Sequence, residues 1–304
     1  MIHIFTALIP IFSLIMIGYF FKKIKFPSYD FWPQADKLTY YILMPSLLIY
    51  KLSTASLDSS NSVNYVLTAL ITIFIVLLIL MFLNKFLKFK EDSFTSIVQG
   101  GIRFNTYVFL ALADAVLGDN GIVLAAILLT FVIPFINVLC ISIFALYISQ
   151  NKLTFLYLLK SIVTNPLIIG CFIGGSINFL GINLPVILEN TIQILGQAAL
   201  PMGLLSVGFG LVLKEMKASK KDIFTSSFAK LLITPIIMFI IAKYFDLDDA
   251  MISVLLIFSV LPTAPSSFVL ARQLGGNIPL MSSIITLQTL ISTLFIIAVL
   301  NYFI

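Results

Sequence analysis

Charged residues are scarce in this chain of 304 residues, because Asp, Glu, Lys and Arg together make up only 10% of it. Soluble globular domains carry about 25% charged residues. Hydrophobic residues reach 60%, and the mean hydropathy is +1.12. Apolar runs of helical length recur from end to end, which predicts an all-α membrane protein whose solvent is the lipid bilayer.

Histidine and cysteine are nearly absent. His3 is the single histidine, which excludes a histidine-based zinc site and a Ser-His-Asp triad at membrane depth. Cys140 and Cys171 lie in apolar runs, so a disulfide framework is not expected. No glycine-rich phosphate loop is present. We therefore predict no metal, no cofactor and no enzymatic activity, and the uncharged start MIHIFTALIP predicts no cleavable signal peptide.

Ten membrane-spanning helices can be drawn from the apolar runs. Their ranges are 3–21, 34–52, 63–84, 93–116, 121–148, 158–180, 185–213, 221–245, 249–273 and 279–303. Landmarks of the first half recur 156 positions later, where Pro10, Gly18 and Pro45 are followed by Pro166, Gly174 and Pro201. We interpret the chain as two five-helix repeats, 1–150 and 151–304. Because five is odd, the second repeat must be inverted in the membrane.

The basic residues predict the orientation. Most of the 18 Lys and Arg residues fall on one side of the ten spans, in the segments 22–37, 85–90, 152–160 and 214–230 and at Arg272. The opposite side is mainly acidic. The positive-inside rule places the lysines in the cytoplasm and both termini outside, as in a multi-pass protein of the plasma membrane. The net charge of +5 is thus a topology signal, and we predict no nucleic-acid partner.

Spans 4 and 9 contain residues that a continuous membrane helix disfavours. Span 4 holds Arg103, Asn105 and Thr106 near its middle, and an arginine at a helix centre costs about 2.5–3.5 kcal/mol on insertion scales. Span 9 holds Pro262 and Pro265, which cannot donate backbone hydrogen bonds. The same offset maps one interruption onto the other, and paired interrupted spans point to the binding site of a transporter.

Polar residues at the two interruptions, together with two further prolines, are the candidate site residues. The candidates for substrate binding are Asn105, Arg103, Thr106, Thr263, Ser266 and Ser46. The helix-breaking candidates are Pro262, Pro265, Pro45 and Pro201, and Asp114 is a candidate coupling residue. Structural alternatives stay open. Asn105 could cap a half-helix, Arg103 could neutralise carbonyl ends, and Thr263 and Ser266 could bond freed carbonyls.

Four stretches resemble the auxin efflux carrier family, which includes plant PIN carriers and bacterial malate and malonate permeases. They are LTYYILMPSLLIYKL, GGIRFNTYVFLALADAVLGDNG, TNPLIIGCFIGG and LPTAPSSFVLARQLGG. The resemblance implies ten spans in two inverted repeats, with broken helices 4 and 9 crossing. It also implies a scaffold domain of spans 1, 2, 6 and 7, a transport domain of spans 3–5 and 8–10, an elevator-type movement and a homodimer through the scaffold helices. The fold resembles sodium/proton antiporters and bile-acid symporters.

The family pattern is matched only in part. Where plant carriers have Pro-Asn in span 4, this chain has Phe104 and Asn105, and Pro262 and Pro265 enclose a short segment. Arg103 has no counterpart in the plant pattern and adds a positive charge. The sequence therefore favours a small organic anion, such as the dicarboxylates malate and malonate, over an indole acid.

Other functions of a membrane protein have requirements of their own. An ion channel needs a continuous pore with filter groups, and an intramembrane enzyme needs a nucleophile with a base or a metal. Within the transporters, a sodium-coupled symporter similar to the bile-acid symporters is the second candidate. Asp114 is the one carboxylate well inside a span, which argues against a cation antiporter. A uniporter, an anion exchanger and a proton-linked carrier stay open.

Overall fold

The structure is a computed structural model that describes residues 2–55, 62–148, 163–212 and 219–303. This part of the chain is helical and contains no strand. The first helices are α1 (Ile2–Ile24), α2 (Phe31–Leu38), α3 (Met44–Ser53), α4 (Ser62–Leu87), α5 (Glu91–Ile102) and α6 (Thr106–Tyr147). The remaining ones are α7 (Pro166–Phe179), α8 (Val186–Gln197), α9 (Ala199–Gly210), α10 (Lys220–Phe228), α11 (Thr234–Tyr244), α12 (Asp249–Ser259), α13 (Ser266–Leu274) and α14 (Ile278–Phe303).

Five helical stretches of the described residues are long and apolar enough to cross a membrane. They are Ser62–Leu87, Glu91–Tyr147, Val186–Gly210, Lys220–Tyr244 and Ile278–Tyr302. The prediction of an all-α membrane protein is therefore confirmed. The predicted junction between spans 5 and 6 and the predicted end of span 7 lie outside the described residues.

The chain divides into two compact units. One comprises Met1–Ser60, Leu110–Ile133 and Leu159–Gly210, and the other comprises Asn61–Phe109, Pro134–Leu158 and Leu211–Ile304.

In the first unit, α1 packs along α9. A Cβ added at Gly18 would lie 1.9 Å from the backbone oxygen of Leu205, and one added at Gly208 would lie 1.8 Å from that of Ile15. The two backbones are thus in direct contact, as small residues allow between membrane helices.

In the second unit, α5 lies at the centre of the packing. It contacts α4, α10, α13 and α14. The Ser226 hydroxyl of α10 donates a hydrogen bond of 3.0 Å to the Ile97 carbonyl of α5. All residues of α5 from Ser93 to Ile102 are buried, so the end of this helix is held rigidly by its neighbours.

Two π-helical turns connect neighbouring helices. One spans Thr39–Leu43 between α2 and α3, and the other spans Ala229–Ile233 between α10 and α11. Pro45 and Pro235 follow within two residues, at the starts of α3 and α11. A proline cannot donate to the preceding turn, and a wider turn is one way for a helix to continue past it.

Candidate functional site

Two non-helical segments of the second unit lie inside the predicted spans 4 and 9. α5 ends at Ile102, Arg103 and Asn105 have extended backbones, and α6 begins at Thr106. α12 ends at Ser259, and the chain is non-helical until α13 begins at Ser266. We call the first interruption, residues 103–105, break A and the second, residues 260–265, break B.

Direct hydrogen bonds join the two breaks. The Asn105 backbone N–H donates to the Pro262 carbonyl at 2.8 Å. The Arg103 guanidinium donates through Nη2 to the Ser266 hydroxyl at 3.2 Å. The structure thus brings together four of the predicted residues: Arg103, Asn105, Pro262 and Ser266.

Gln288 of α14 connects both breaks from a third helix. Its Oε1 accepts a hydrogen bond of 2.9 Å from the Thr263 backbone N–H, and its Nε2 donates one of 3.0 Å to the Gly100 carbonyl. The side chain is completely buried. Gln288 therefore satisfies one backbone group that each break leaves without a helical partner.

Thr263 is buried within the same network. Its hydroxyl donates to the Gln99 carbonyl at 3.3 Å and lies 3.3 Å from the Ser267 hydroxyl. These are the bonds that the structural alternative for this residue requires, and substrate contact by Thr263 stays a prediction.

Asn105 combines a capping oxygen with a free amide nitrogen. Its Oδ1 accepts from the backbone N–H groups of Tyr107 and Val108, at 3.1 and 3.3 Å, which is the N-cap arrangement. Its Nδ2 is buried without a hydrogen-bond partner in the described part of the chain. The side chain is 1% exposed, so an unsatisfied donor is held at the start of α6.

Further unsatisfied polar atoms belong to residues close to Asn105 in the sequence. Both amide atoms of Gln99 and Nη1 of Arg103 are buried without a partner among the described residues. Buried polar groups are nearly always hydrogen-bonded, and each exception calls for an explanation such as an absent ligand. Three of these residues, Gln99, Arg103 and Asn105, fall within seven positions of the chain, at break A and the end of α5.

The electrostatic character at the breaks is positive. Arg103 has no carboxylate within ion-pair distance in the described ranges, where the single salt bridge joins Lys51 and Asp119 of the first unit. The N-termini of α6 and α13 add partial positive charge of about half an elementary charge each. A guanidinium, an amide donor and helix N-termini are groups that bind anions.

The described residues contain no group of His, Cys, Asp or Glu side chains that could hold a metal ion. Three aromatic rings border break A. Phe104 lies 4.6 Å from Phe258 and 5.8 Å from Phe109, measured between ring centroids.

The remaining predicted residues have separate environments. Thr106 is the half-buried first residue of α6. Pro265 precedes α13 as its N-cap. In the first unit, the Ser46 hydroxyl donates to the Ile42 carbonyl at 2.8 Å, Pro45 contacts Gly170, Pro201 lies near the start of α9, and Asp114 is exposed.

Sequence reasoning missed two residues of the site. Gln99 and Gln288 were visible as polar residues inside apolar spans, which is a signal of function or of helix contact, but neither was selected. The distribution of lysines places Lys230 among the cytoplasmic lysines, whereas the structure buries it in the π turn between α10 and α11.

Comparison with known proteins shows similarity to membrane transporters. A profile of the family described as "Membrane transport protein" matches residues 150–300. The chain is also 25% identical over 299 residues to a proposed malonate transporter of Rhizobium meliloti (strain 1021), covering 96% of this chain and 93% of the relative. The protein is thus a membrane transporter. Both matches support the resemblance to the auxin efflux carrier family that its motifs predicted.

Proposed function

We propose that this protein is a secondary transporter of a small organic anion, with a dicarboxylate such as malonate or malate as its substrate. The observation that carries the proposal is Arg103, whose buried Nη1 has no partner in the described residues and no carboxylate nearby. An anion at break A would supply both the missing charge and the missing acceptor. The proposed malonate transporter of Rhizobium meliloti supports this substrate class by similarity.

The proposed site uses two kinds of donor. Arg103 is held by its bond to Ser266, which orients the guanidinium while Nη1 stays available. Asn105 Nδ2, two positions along the chain, offers a neutral donor. The N-termini of α6 and α13 favour negative charge at the same place. Pro262 and Pro265 create the site by interrupting the helix, and Thr106, Ser266, Thr263 and Ser46 stay candidates for further substrate contacts.

The proposed architecture follows the family. Ten spans form two inverted five-helix repeats in which interrupted helices 4 and 9 cross. A scaffold domain of spans 1, 2, 6 and 7 supports a transport domain of spans 3–5 and 8–10, and an elevator-type movement carries the substrate. The protein is a homodimer of the plasma membrane with both termini outside. The crossing is supported by the hydrogen bond between Asn105 and the Pro262 carbonyl.

Uptake of labelled malonate into liposomes that contain the purified protein tests the proposed function. Arg103→Met removes the guanidinium while keeping an unbranched side chain. A hydrogen bond to a charged group contributes about 1.5–3 kcal/mol, so we expect malonate affinity to fall by about 10-fold to 150-fold. Arg272→Met is the matched control, because Arg272 is exposed in the last turn of α13. This variant should transport malonate like the native protein.

Two results would contradict the proposal. The first is that the native protein, folded in the liposome, takes up neither malonate nor malate. The second is that Arg103→Met and Arg272→Met transport equally well, since break A would then have a structural role only.

A further inference from the structure

Lys230 is buried in the middle of a membrane helix. It lies in the π turn Ala229–Ile233, within the continuous helical stretch Lys220–Tyr244, and 1% of its surface is exposed. Lys243 lies on the same stretch but is exposed near the helix end. Burial therefore distinguishes Lys230 from a lysine that marks membrane topology.

The surroundings of the Lys230 amine are apolar. Nζ lies 5.0 Å from the centroid of the Phe258 ring, and that ring contacts Phe104 of break A at 4.6 Å. One helical turn earlier, the buried Ser227 hydroxyl has no hydrogen-bond partner among the residues that the structure describes. No hydrogen bond or ion pair reaches Nζ from the described residues. A potential cation is thus separated from the proposed anion site by a layer of aromatic rings.

The titratable groups on the helices around Lys230 lie near helix ends. On α4, α5, α10, α11 and α12 they are Tyr65, Lys85, Glu91, Asp92, Lys220, Lys221, Asp222, Lys243, Tyr244 and Asp249. Asp222, the acidic group of the same helical stretch, is eight positions away, or roughly 12 Å along the axis at about 1.5 Å per residue. Arg103, at break A, is the other charged group in this region. Neither cation has a carboxylate counter-ion in the described part of the chain.

An ammonium buried without a counter-ion is expensive, and two events remove that cost. The amine can give up its proton, or an anion can arrive nearby. When an anion and a proton each stabilise the other in a low-dielectric site, their binding is coupled, and the coupling is reciprocal.

We propose that Lys230 carries one proton for each organic anion that this transporter binds. When no anion occupies break A, the Lys230 side chain is a neutral amine. When the anion occupies break A, Nζ takes a proton from water, and it returns that proton to water when the anion leaves. The inference rests on the proposed function and assigns it a coupling ion, so that the anion moves together with one proton.

Proton uptake linked to malonate binding tests this assignment. Malonate is titrated into the purified protein in a calorimeter, in two buffers of different ionisation enthalpy. The difference between the two observed binding enthalpies reports the number of protons taken up per bound anion. The native protein should take up one proton more than Lys230→Met, which cannot bind a proton at this position. Lys243→Met is the matched control, because Lys243 lies on the same helical stretch with its Nζ 5.8 Å from the Phe239 ring. It should behave like the native protein.

Lys230→Arg separates charge from proton exchange. A guanidinium stays protonated throughout the accessible pH range, so this variant should bind malonate without the additional proton. Lys230→Met should fold, because an apolar side chain suits the buried site, but should bind malonate at least tenfold more weakly than Lys230→Arg. Retention of folding is checked by gel filtration and thermal unfolding.

The outcomes are distinguishable. If the native protein does not bind malonate, the proposed function fails and this assignment falls with it. If it binds malonate but takes up as many protons as Lys230→Met, the function stands and the assignment is overturned. Failure of folded Lys230→Arg to bind would also overturn it, because the protonated form is the one assigned to anion binding.

Discussion

At the scale of single residues, Asn105 carries two roles on one side chain. Its Oδ1 caps α6, and its Nδ2 is one of the donors at break A without a partner among the described residues. A replacement by alanine would lose both, and the loss of an N-cap alone costs about 1 kcal/mol. The useful replacement is therefore one that keeps the cap and removes the donor.

Asn105→Asp makes that separation. Aspartate caps helices as well as asparagine does, so the thermal unfolding temperature should stay near the native value. The carboxylate replaces the Nδ2 donor by an acceptor and adds a negative charge close to Arg103, so malonate affinity should fall at least tenfold. Unfolding by fluorescence and malonate binding by calorimetry measure the two effects. Native-like binding by this variant would leave Asn105 as a cap only.

Some functional residues can be recognised from the sequence alone, and others cannot. Arg103 and Asn105 could be selected because they interrupt an apolar run, where polar residues are costly. Lys230 could not be separated from the loop lysines, because it lies ten positions after Lys220 and a membrane boundary is uncertain by a few residues. Burial of its side chain depends on α12 and α5, which a local pattern does not contain.

At the scale of helices, each break leaves backbone groups that need partners. Prolines explain why break B forms, since Pro262 and Pro265 lack N–H donors. They do not show which groups would satisfy the exposed ends. That task falls to Gln288, which is 25 positions from Thr263 and 188 from Gly100. Such long-range bonds explain why the interruptions could be predicted while their stabilising contacts were not.

Replacing Gln288 should therefore destabilise the backbone at both breaks. Gln288→Leu leaves the Thr263 N–H and the Gly100 carbonyl buried without partners, and each such group costs about 1–3 kcal/mol. We expect the free energy of unfolding to fall by about 2–6 kcal/mol, together with loss of malonate binding.

Gln273→Leu is the matched control, because Gln273 is exposed near the end of α13. It should change stability by less than about 0.5 kcal/mol. Thermal unfolding in detergent compares the two variants. Equal stability of Gln288→Leu and Gln273→Leu would show that water or other side chains satisfy the breaks without Gln288.

At the scale of the whole molecule, composition was sufficient to predict an all-α membrane protein. It was not sufficient to predict how the helices are arranged. A chain with 60% hydrophobic residues has to bury its backbone polar groups in helices within lipid, and the described residues are helical. The kink at Gly118, with φ 60° and ψ −144° inside α6, depends on a single residue instead. Glycine permits this backbone, and the kink divides α6 between the predicted spans 93–116 and 121–148.

The predicted orientation of the molecule rests on the distribution of lysines and can be tested with two positions of the first unit. Lys23 is exposed near the end of α1, and the side chain of Asp119 is 83% exposed. The native cysteines, Cys140 and Cys171, are buried, so the native protein serves as the unlabelled control for a membrane-impermeant maleimide.

We expect Asp119→Cys to be labelled in intact cells and Lys23→Cys to be labelled only after the membrane is made permeable. The reason is the positive-inside rule, which retains clusters such as Lys22, Lys23 and Lys25 in the cytoplasm. The opposite labelling would place both termini inside and would contradict the predicted orientation. Labelling of both positions from one side would contradict the ten-span arrangement itself, because Lys23 and Asp119 are predicted to face opposite sides of the membrane.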